Sequence, residues 1–184
     1  GDKVPSGKTA VTFPRKTGQI PIYYNVTSSG RPVNGYYGEH IEMSYEDCLS
    51  DPYYPFGYGL SYTKFEYSEP EVKNASLSIE EVKAGNNFII TLDVKNIGEY
   101  DGKETVQLYI RDAFASMMRP MRELKDFNKK LIKIGETEHF EFELGYKELG
   151  FYDTDGNYLI EKGDFYVYVG ENCLTENCIK IRIT

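Results

Sequence analysis

The sequence predicts an all-β chain built around an antiparallel β-sandwich. Apolar residues alternate singly with polar ones in five separate runs, turn-forming clusters part those runs, and no long stretch carries the 3.6-residue period of a helix. The first run is Phe88, Ile90, Leu92 and Val94, interleaved with Ile89, Thr91, Asp93 and Lys95. The others are Val106, Leu108 and Ile110; Phe140, Phe142 and Leu144; Phe165, Val167 and Val169; and Ile179, Ile181 and Ile183. Side chains on a strand point alternately to its two faces, so each run reads as a strand with one buried face. Ala84-Gly85-Asn86-Asn87, Asp101-Gly102, Ile134-Gly135-Glu136, Asp155-Gly156-Asn157 and Lys162-Gly163-Asp164 supply the turns. One inward and one solvated face per strand give two packed sheets, the immunoglobulin-like plan.

The first 55 residues differ in kind. Ala10 to Phe13 and Ile20 to Tyr24 are short extended runs, followed by a stretch rich in Gly, Ser, Pro and Asn. A loop-like span of roughly 25 residues is unusual inside a compact domain, so this part is expected to belong to a body other than the sandwich. The expected division is therefore residues 1–55 as a mostly irregular, extended leader and 56–184 as the sandwich. Where the two meet stands the most aromatic segment of the chain, Tyr53-Tyr54-Pro55-Phe56-Gly57-Tyr58-Gly59-Leu60-Ser61-Tyr62. Pro55 fixes its own φ and biases Tyr54 toward extended backbone, and the two glycines permit positive φ or close approach to another surface. Stiffly held rings bury large areas at small entropic cost. Tyr54, Pro55, Phe56, Tyr58, Leu60 and Tyr62 are accordingly expected to pack one body against another. Tyrosine rings also suit sugar faces, and for Tyr53, Tyr54, Tyr58 and Tyr62 the packing role is preferred to sugar binding.

Composition excludes several functions. A formal net charge of -8 over 184 residues, with scattered basic residues, opposes binding to nucleic acid or anionic membrane. No apolar run approaches the roughly 20 residues of a membrane-spanning helix, and the N-terminus lacks the plan of a signal peptide. Cys48 is isolated, and Cys173 and Cys178 are expected to be reduced or simply bridged rather than metal-bound, because His40 and His139 stand at no ligand spacing from them. No metal and no cofactor are expected.

Candidate acids have plainer readings. Glu80-Glu81, Glu99 with Asp101, and Glu141 with Glu143 fall in turns or on polar strand faces. Asp153-Thr154-Asp155-Gly156-Asn157 begins like a calcium loop, but Tyr158 occupies the position that requires glycine, so it reads as a hairpin turn. His139 precedes an inward-facing phenylalanine and so points outward. His40 with Cys48 lacks a third orienting group for nucleophilic catalysis. Asn25-Val26-Thr27 and Asn74-Ala75-Ser76 are glycan sequons by pattern alone. Arg119-Pro120 with Arg122 reads as a contact loop or as a basic guard on a strand edge.

The aromatic segment resembles the junction that leads into the C-terminal fibronectin type III-like domain of glycoside hydrolase family 3 enzymes. Upstream, Pro5-Ser6-Gly7-Lys8, Val11-Thr12-Phe13-Pro14, Gly18-Gln19-Ile20-Pro21-Ile22-Tyr23-Tyr24-Asn25 and Gly30-Arg31-Pro32 resemble the end of that family's α/β-sandwich domain. Downstream, Gly102 to Asp112, Arg119-Pro120, Glu123-Leu124-Lys125, Gly135-Glu136-Thr137 and Glu161-Lys162-Gly163 continue the likeness in order. One departure is Ser44, where the family pattern has an arginine before the tyrosine. The resemblance implies a parent that releases terminal sugars with retention, as a β-glucosidase or a β-xylosidase, from the periplasm or after secretion. It also implies catalytic carboxyls on earlier domains, because neither catalytic motif occurs here. The expected partners are those domains and the parent's β-glucoside or oligosaccharide substrate, with no catalytic residue in this stretch. The alternative is a fibronectin type III-like module that binds carbohydrate or protein.

Overall fold

Phe88, Ile90, Leu92 and Val94 all turn inward from one nine-residue strand, as their spacing requires. In the computed structural model, which describes residues 2–27, 49 and 51–184, the elements follow in chain order. They are β1 (Phe65–Tyr67), β2 (Glu71–Val72), β3 (Ser76–Leu77), α1 (Ile79–Lys83), β4 (Phe88–Asn96), β5 (Gly102–Asp112), β6 (Glu123–Ile132) and β7 (Thr137–Leu144). After these come α2 (Tyr146–Leu149), β8 (Phe151–Tyr152), β9 (Tyr158–Leu159), β10 (Gly163–Gly170) and β11 (Cys178–Ile183). In one sheet β4 pairs with β1 and β2 on one flank and with β7 on the other; the second has the order β3-β11-β10-β5-β6. Pairing is antiparallel except between β3 and β11.

The core lies between the sheets. Across β4 and β7, Phe88 stands opposite Leu144, Ile90 opposite Phe142 and Leu92 opposite Phe140, and all six are buried. Val106, Leu108 and Ile110 of β5, Phe165, Val167 and Val169 of β10, and Ile181 and Ile183 of β11 meet them from the other sheet. Full burial of each such side chain is worth roughly 1.5–3 kcal/mol, so this alternation supplies most of the drive to close the sandwich.

The polar surroundings of the core also follow the chain. Ser78 and Glu81 form a reciprocal cap on α1: the Ser78 hydroxyl accepts the Glu81 N–H, and the Glu81 carboxylate accepts the Ser78 N–H at 2.7 Å. Those bonds hold the Glu81 carboxyl below its ordinary range. Asp153 Oδ1 accepts the N–H groups of Asp155 and Asn157 and closes the β8–β9 hairpin, with Gly156 at φ 81°. At the end of β4, fully buried Asn96 donates to the carbonyls of Tyr100 and Ile132 and accepts from the Thr63 hydroxyl and the Gly98 N–H.

Two features depart from the reading above. β6 is a ten-residue strand on the edge of the second sheet whose apolar residues do not alternate with its polar ones, and a bulge opposite Leu108/Tyr109 shifts its register. Arg122 is no edge guard: it is 5% exposed and its guanidinium carbon lies 3.2 Å from the Tyr168 ring centre. Gly30-Arg31-Pro32, His40, Cys48 and the Met43 to Asp47 stretch with Ser44 lie outside the described residues.

Candidate functional site: an aromatic strap on the five-stranded sheet

β5 is buried on both faces. Its outer face carries Thr105, Gln107 and Tyr109, residues that a solvated sheet face would leave wet. What covers them is the leader. Residues 9–13 run beside 53–58, joined by Thr9 N–H to Tyr58 O, Gly57 N–H to Thr9 O, and Phe13 N–H to Tyr54 O. The Ala10–Phe13 and Ile20–Tyr24 runs form no ladder; Phe13 makes an isolated bridge to Tyr54, and past the second run Thr27 makes one to Pro120. Pro14 and Pro21 have no N–H to extend one. The result is a double-stranded strap laid across the sheet rather than a strand added to its edge.

Rings fill the seam. Tyr24 stacks on Phe56 with centroids 4.1 Å apart and planes 18° apart, and meets Tyr109 edge-on at 6.1 Å. Tyr109 and Cys173, both fully buried, form the centre of this second cluster, with Ile22, Leu124, Tyr168 and Leu174 around them. The Tyr24 hydroxyl accepts the Leu124 N–H, and burial is the main reason its phenol is held above its ordinary value. Offset-stacked and edge-on rings add about 0.5–1.5 kcal/mol per pair beyond the area they bury.

Hydrogen bonds fix the strap's position. Gln107 donates to the carbonyls of Gly57 (3.1 Å) and Glu171 (2.6 Å) and accepts from the Tyr109 hydroxyl (2.6 Å). Cys173 N–H donates to Phe56 O. Gly57 lies at φ 79°, and a Cβ there would stand 2.2 Å from Gln107 Oε1, so this position requires glycine twice over. At Gly59 the reason is space alone, since a Cβ would meet Gly7 O at 2.5 Å. Further along, Glu104 accepts from Lys8 Nζ at 2.9 Å and from the Tyr67 hydroxyl at 2.8 Å. Burial, followed by the Glu104 charge, raises the Tyr67 phenol far out of its normal range and keeps it a neutral donor.

The six residues expected to pack between bodies divide by direction. Pro55 is buried, and Tyr54, Phe56 and Tyr58 are half-buried; Phe56 belongs to the second cluster, while Tyr58 stacks on Tyr54 at 4.9 Å. Leu60 and Tyr62 face away, 68% and 59% exposed, in company with Val11, Phe13, Ile20, Tyr23 and Tyr53. The strap is thus apolar on both sides, and among the described residues only one side is covered. What the sequence reading lacks is the receiving surface: Gln107, Tyr109 and Cys173. The visible sign was a large ring, Tyr109, at an outward position of β5.

Elsewhere the acids behave as surface groups. Glu80, Glu99, Glu141 and Glu143 are exposed, and Asp101 accepts the Ile134 N–H. His139 is exposed and pairs with Asp93 at 2.7 Å. Cys173 is buried and Cys178 is at the surface, with no bond between them. Asn25 and Asn74 are exposed. Among the described residues no group of three or more His, Cys, Asp or Glu side chains is placed to hold a metal ion, and no helix is long and apolar enough to cross a membrane.

Two sheets closed over one core, with an aromatic strap sealed across an outer face, define the chain as a fibronectin type III-like sandwich; residues 104–173 match the fibronectin type III-like domain family. The chain is 38% identical over 170 residues to a periplasmic β-glucosidase of Salmonella typhimurium, covering 92% of this chain and 22% of that protein. It is 34% identical over 188 residues to a β-xylosidase of Formosa agariphila, covering 100% of this chain and 24% of that protein. Among solved structures, the β-glucosidase of Listeria innocua in complex with gluconolactone superposes with a TM-score of 0.87 at 35% identity, over 100% of this chain and 25% of that one. The chain is thus similar to a C-terminal portion of glycoside hydrolase family 3 enzymes, and it spans less than a quarter of the length of these two curated relatives.

Proposed function

We propose that this chain is the C-terminal scaffold of a retaining β-glycosidase, with β-glucosidase as the first specificity and β-xylosidase as the second. Residues 1–55 form the tail of a preceding α/β-sandwich domain, and residues 56–184 the fibronectin type III-like domain. The observation that carries this reading is the two-sided strap. Its inner rings are sealed on β5, while Leu60, Tyr62 and their exposed neighbours present an apolar layer toward a body outside this chain. Tyr54, Pro55, Phe56, Tyr58, Leu60 and Tyr62 then act as inter-domain packing residues. The catalytic nucleophile and acid/base, about 5 Å apart in a retaining enzyme, come from the parent's earlier domains, as do the contacts to its β-glucoside or oligosaccharide substrate. The likeness to a periplasmic relative supports a periplasmic or secreted parent.

The test compares the full reading frame with this chain alone on nitrophenyl β-glucoside and nitrophenyl β-xyloside. The full protein is expected to turn over and the chain alone to be inert. Hydrolysis by the purified chain would overturn the scaffold reading. In the full protein, Leu60→Ser with Tyr62→Ser is expected to lower the melting temperature and the activity together. In the isolated chain the same pair should change stability by less than about 0.5 kcal/mol, as exposed substitutions do.

A further inference from the structure

The loop between β5 and β6 presents apolar side chains that neither the core nor the strap uses. Phe114 is 88% exposed, the most of any large apolar residue among those described, and Met118 is 66% exposed. Three of the chain's four methionines, Met117, Met118 and Met121, fall within five residues here. Unbranched thioethers adapt to a facing surface, which makes methionine common where proteins dock.

The loop is held out from the sandwich by bonds of its own. Ala113 N–H donates to Asp164 O at 3.0 Å, Phe114 N–H to Asp112 Oδ1 at 3.2 Å and Ser116 N–H to Glu161 Oε2 at 2.8 Å. At its far end Arg119 pairs with Glu123 at 3.0 Å, and its guanidinium carbon lies 4.9 Å from the Phe151 ring centre. A ring left in water forgoes the roughly 1.5–3 kcal/mol that burial would return. A loop already ordered gives up little entropy when it docks.

The leader runs to the foot of this loop. The Tyr24 hydroxyl accepts the Leu124 N–H, Met121 N–H donates to Val26 O at 2.8 Å, and Thr27 bridges to Pro120. Under the function proposed above, the leader is the tail of the preceding domain, so that domain stands beside the loop as well as over the strap. We propose that Phe114 and Met118 form a second docking surface for the parent's earlier domains, entering an apolar recess there. The inference rests on the scaffold reading and adds a contact outside the strap, one that stops the sandwich from pivoting about it. A second copy of this chain is the competing occupant, and a net charge of -8 on each copy opposes it.

The test is footprinting of the full protein with hydrogen peroxide, which transfers one oxygen atom to a methionine thioether and leaves water. Sulfoxide at each methionine is counted by mass spectrometry in buffer and in urea, and hydroxyl-radical labelling of Tyr62 reads the strap in the same samples. Met118 should oxidise about tenfold or more slowly in buffer than in urea, although it is 66% exposed in this chain. Met121, 5% exposed, is the buried reference. Phe114→Ser should release Met118 while Tyr62 and Met121 stay shielded, and the protection should hold over a roughly hundredfold range of protein concentration. Tyr62 shielded with Met118 oxidising at its unfolded rate overturns the inference and leaves the scaffold reading standing; loss of protection at both overturns the two together. Met118 shielded with Tyr62 open supports the loop contact and counts against the strap's. Protection that survives Phe114→Ser, or that fades on dilution as contact with a second copy would, also overturns the proposal.

Discussion

Replacing Gly57 with alanine isolates what seats the strap on the sheet. The substitution forces a side chain into φ 79°, which costs roughly 1–2 kcal/mol. It also places a Cβ 2.2 Å from Gln107 Oε1, so the glutamine must move. Gln107 makes three bonds, two of them buried, to Gly57 O, Glu171 O and the Tyr109 hydroxyl, and leaving one buried partner unmet costs about 1–3 kcal/mol. The two effects together weaken docking by about 3 kcal/mol, or roughly a hundredfold at ~1.4 kcal/mol per decade.

Native-state hydrogen exchange reads that loss where it occurs. The amides of Thr9, Gly57 and Cys173, which bond within the strap or between strap and loop, should exchange about a hundredfold faster. Amides of β4 and β7 should change far less. Gly85→Ala is the control: φ is 94° there, but nothing lies within 4 Å of the added Cβ, so it carries backbone strain alone and should leave the strap amides as they were. The reasoning fails if Gly57→Ala leaves those three amides protected, or if Gly85→Ala exposes them equally.

Glu104→Gln removes the charge that faces Lys8 on the 7% exposed Glu104 side chain; losing one partner of a buried pair should cost about 3 kcal/mol in a urea titration, and much less in a Lys8→Met background. Phe140→Ala, in the middle of the core, should cost about 3–5 kcal/mol by the same measurement. Asp164 is held below its ordinary range, chiefly by its hydrogen bonds from Arg182. Its contribution is therefore fully present above the unfolded value of about 3.9 and is lost as pH falls through the lower folded value. The urea midpoint should drop on acidification across that window, and Asp164→Asn should flatten the drop.

The sandwich was legible because its chemistry is one-sided. β4, β7, β10 and β11 each bury one face, so Phe88 to Val94 or Phe165 to Val169 announce a strand by period alone. β6 was hidden for the opposite reason: on an exposed edge, Phe127 and Leu131 sit among lysines without any face to sort them. The Gly57-Tyr58-Gly59 spacing did signal both positive φ and close approach. Where that approach lands was not readable, because Gln107 and Tyr109 look like an ordinary wet face until the leader is folded onto them.

Asn96 has a last consequence. Sliding β4 by two residues along β7 would keep Phe88, Ile90 and Leu92 pointing inward, so oily matching alone tolerates the error. A lone amide does not: its hooks engage Thr63, Gly98, Tyr100 and Ile132 in a single alignment, and any slipped arrangement strands it dry. One asparagine thereby turns a greasy fit into a keyed one.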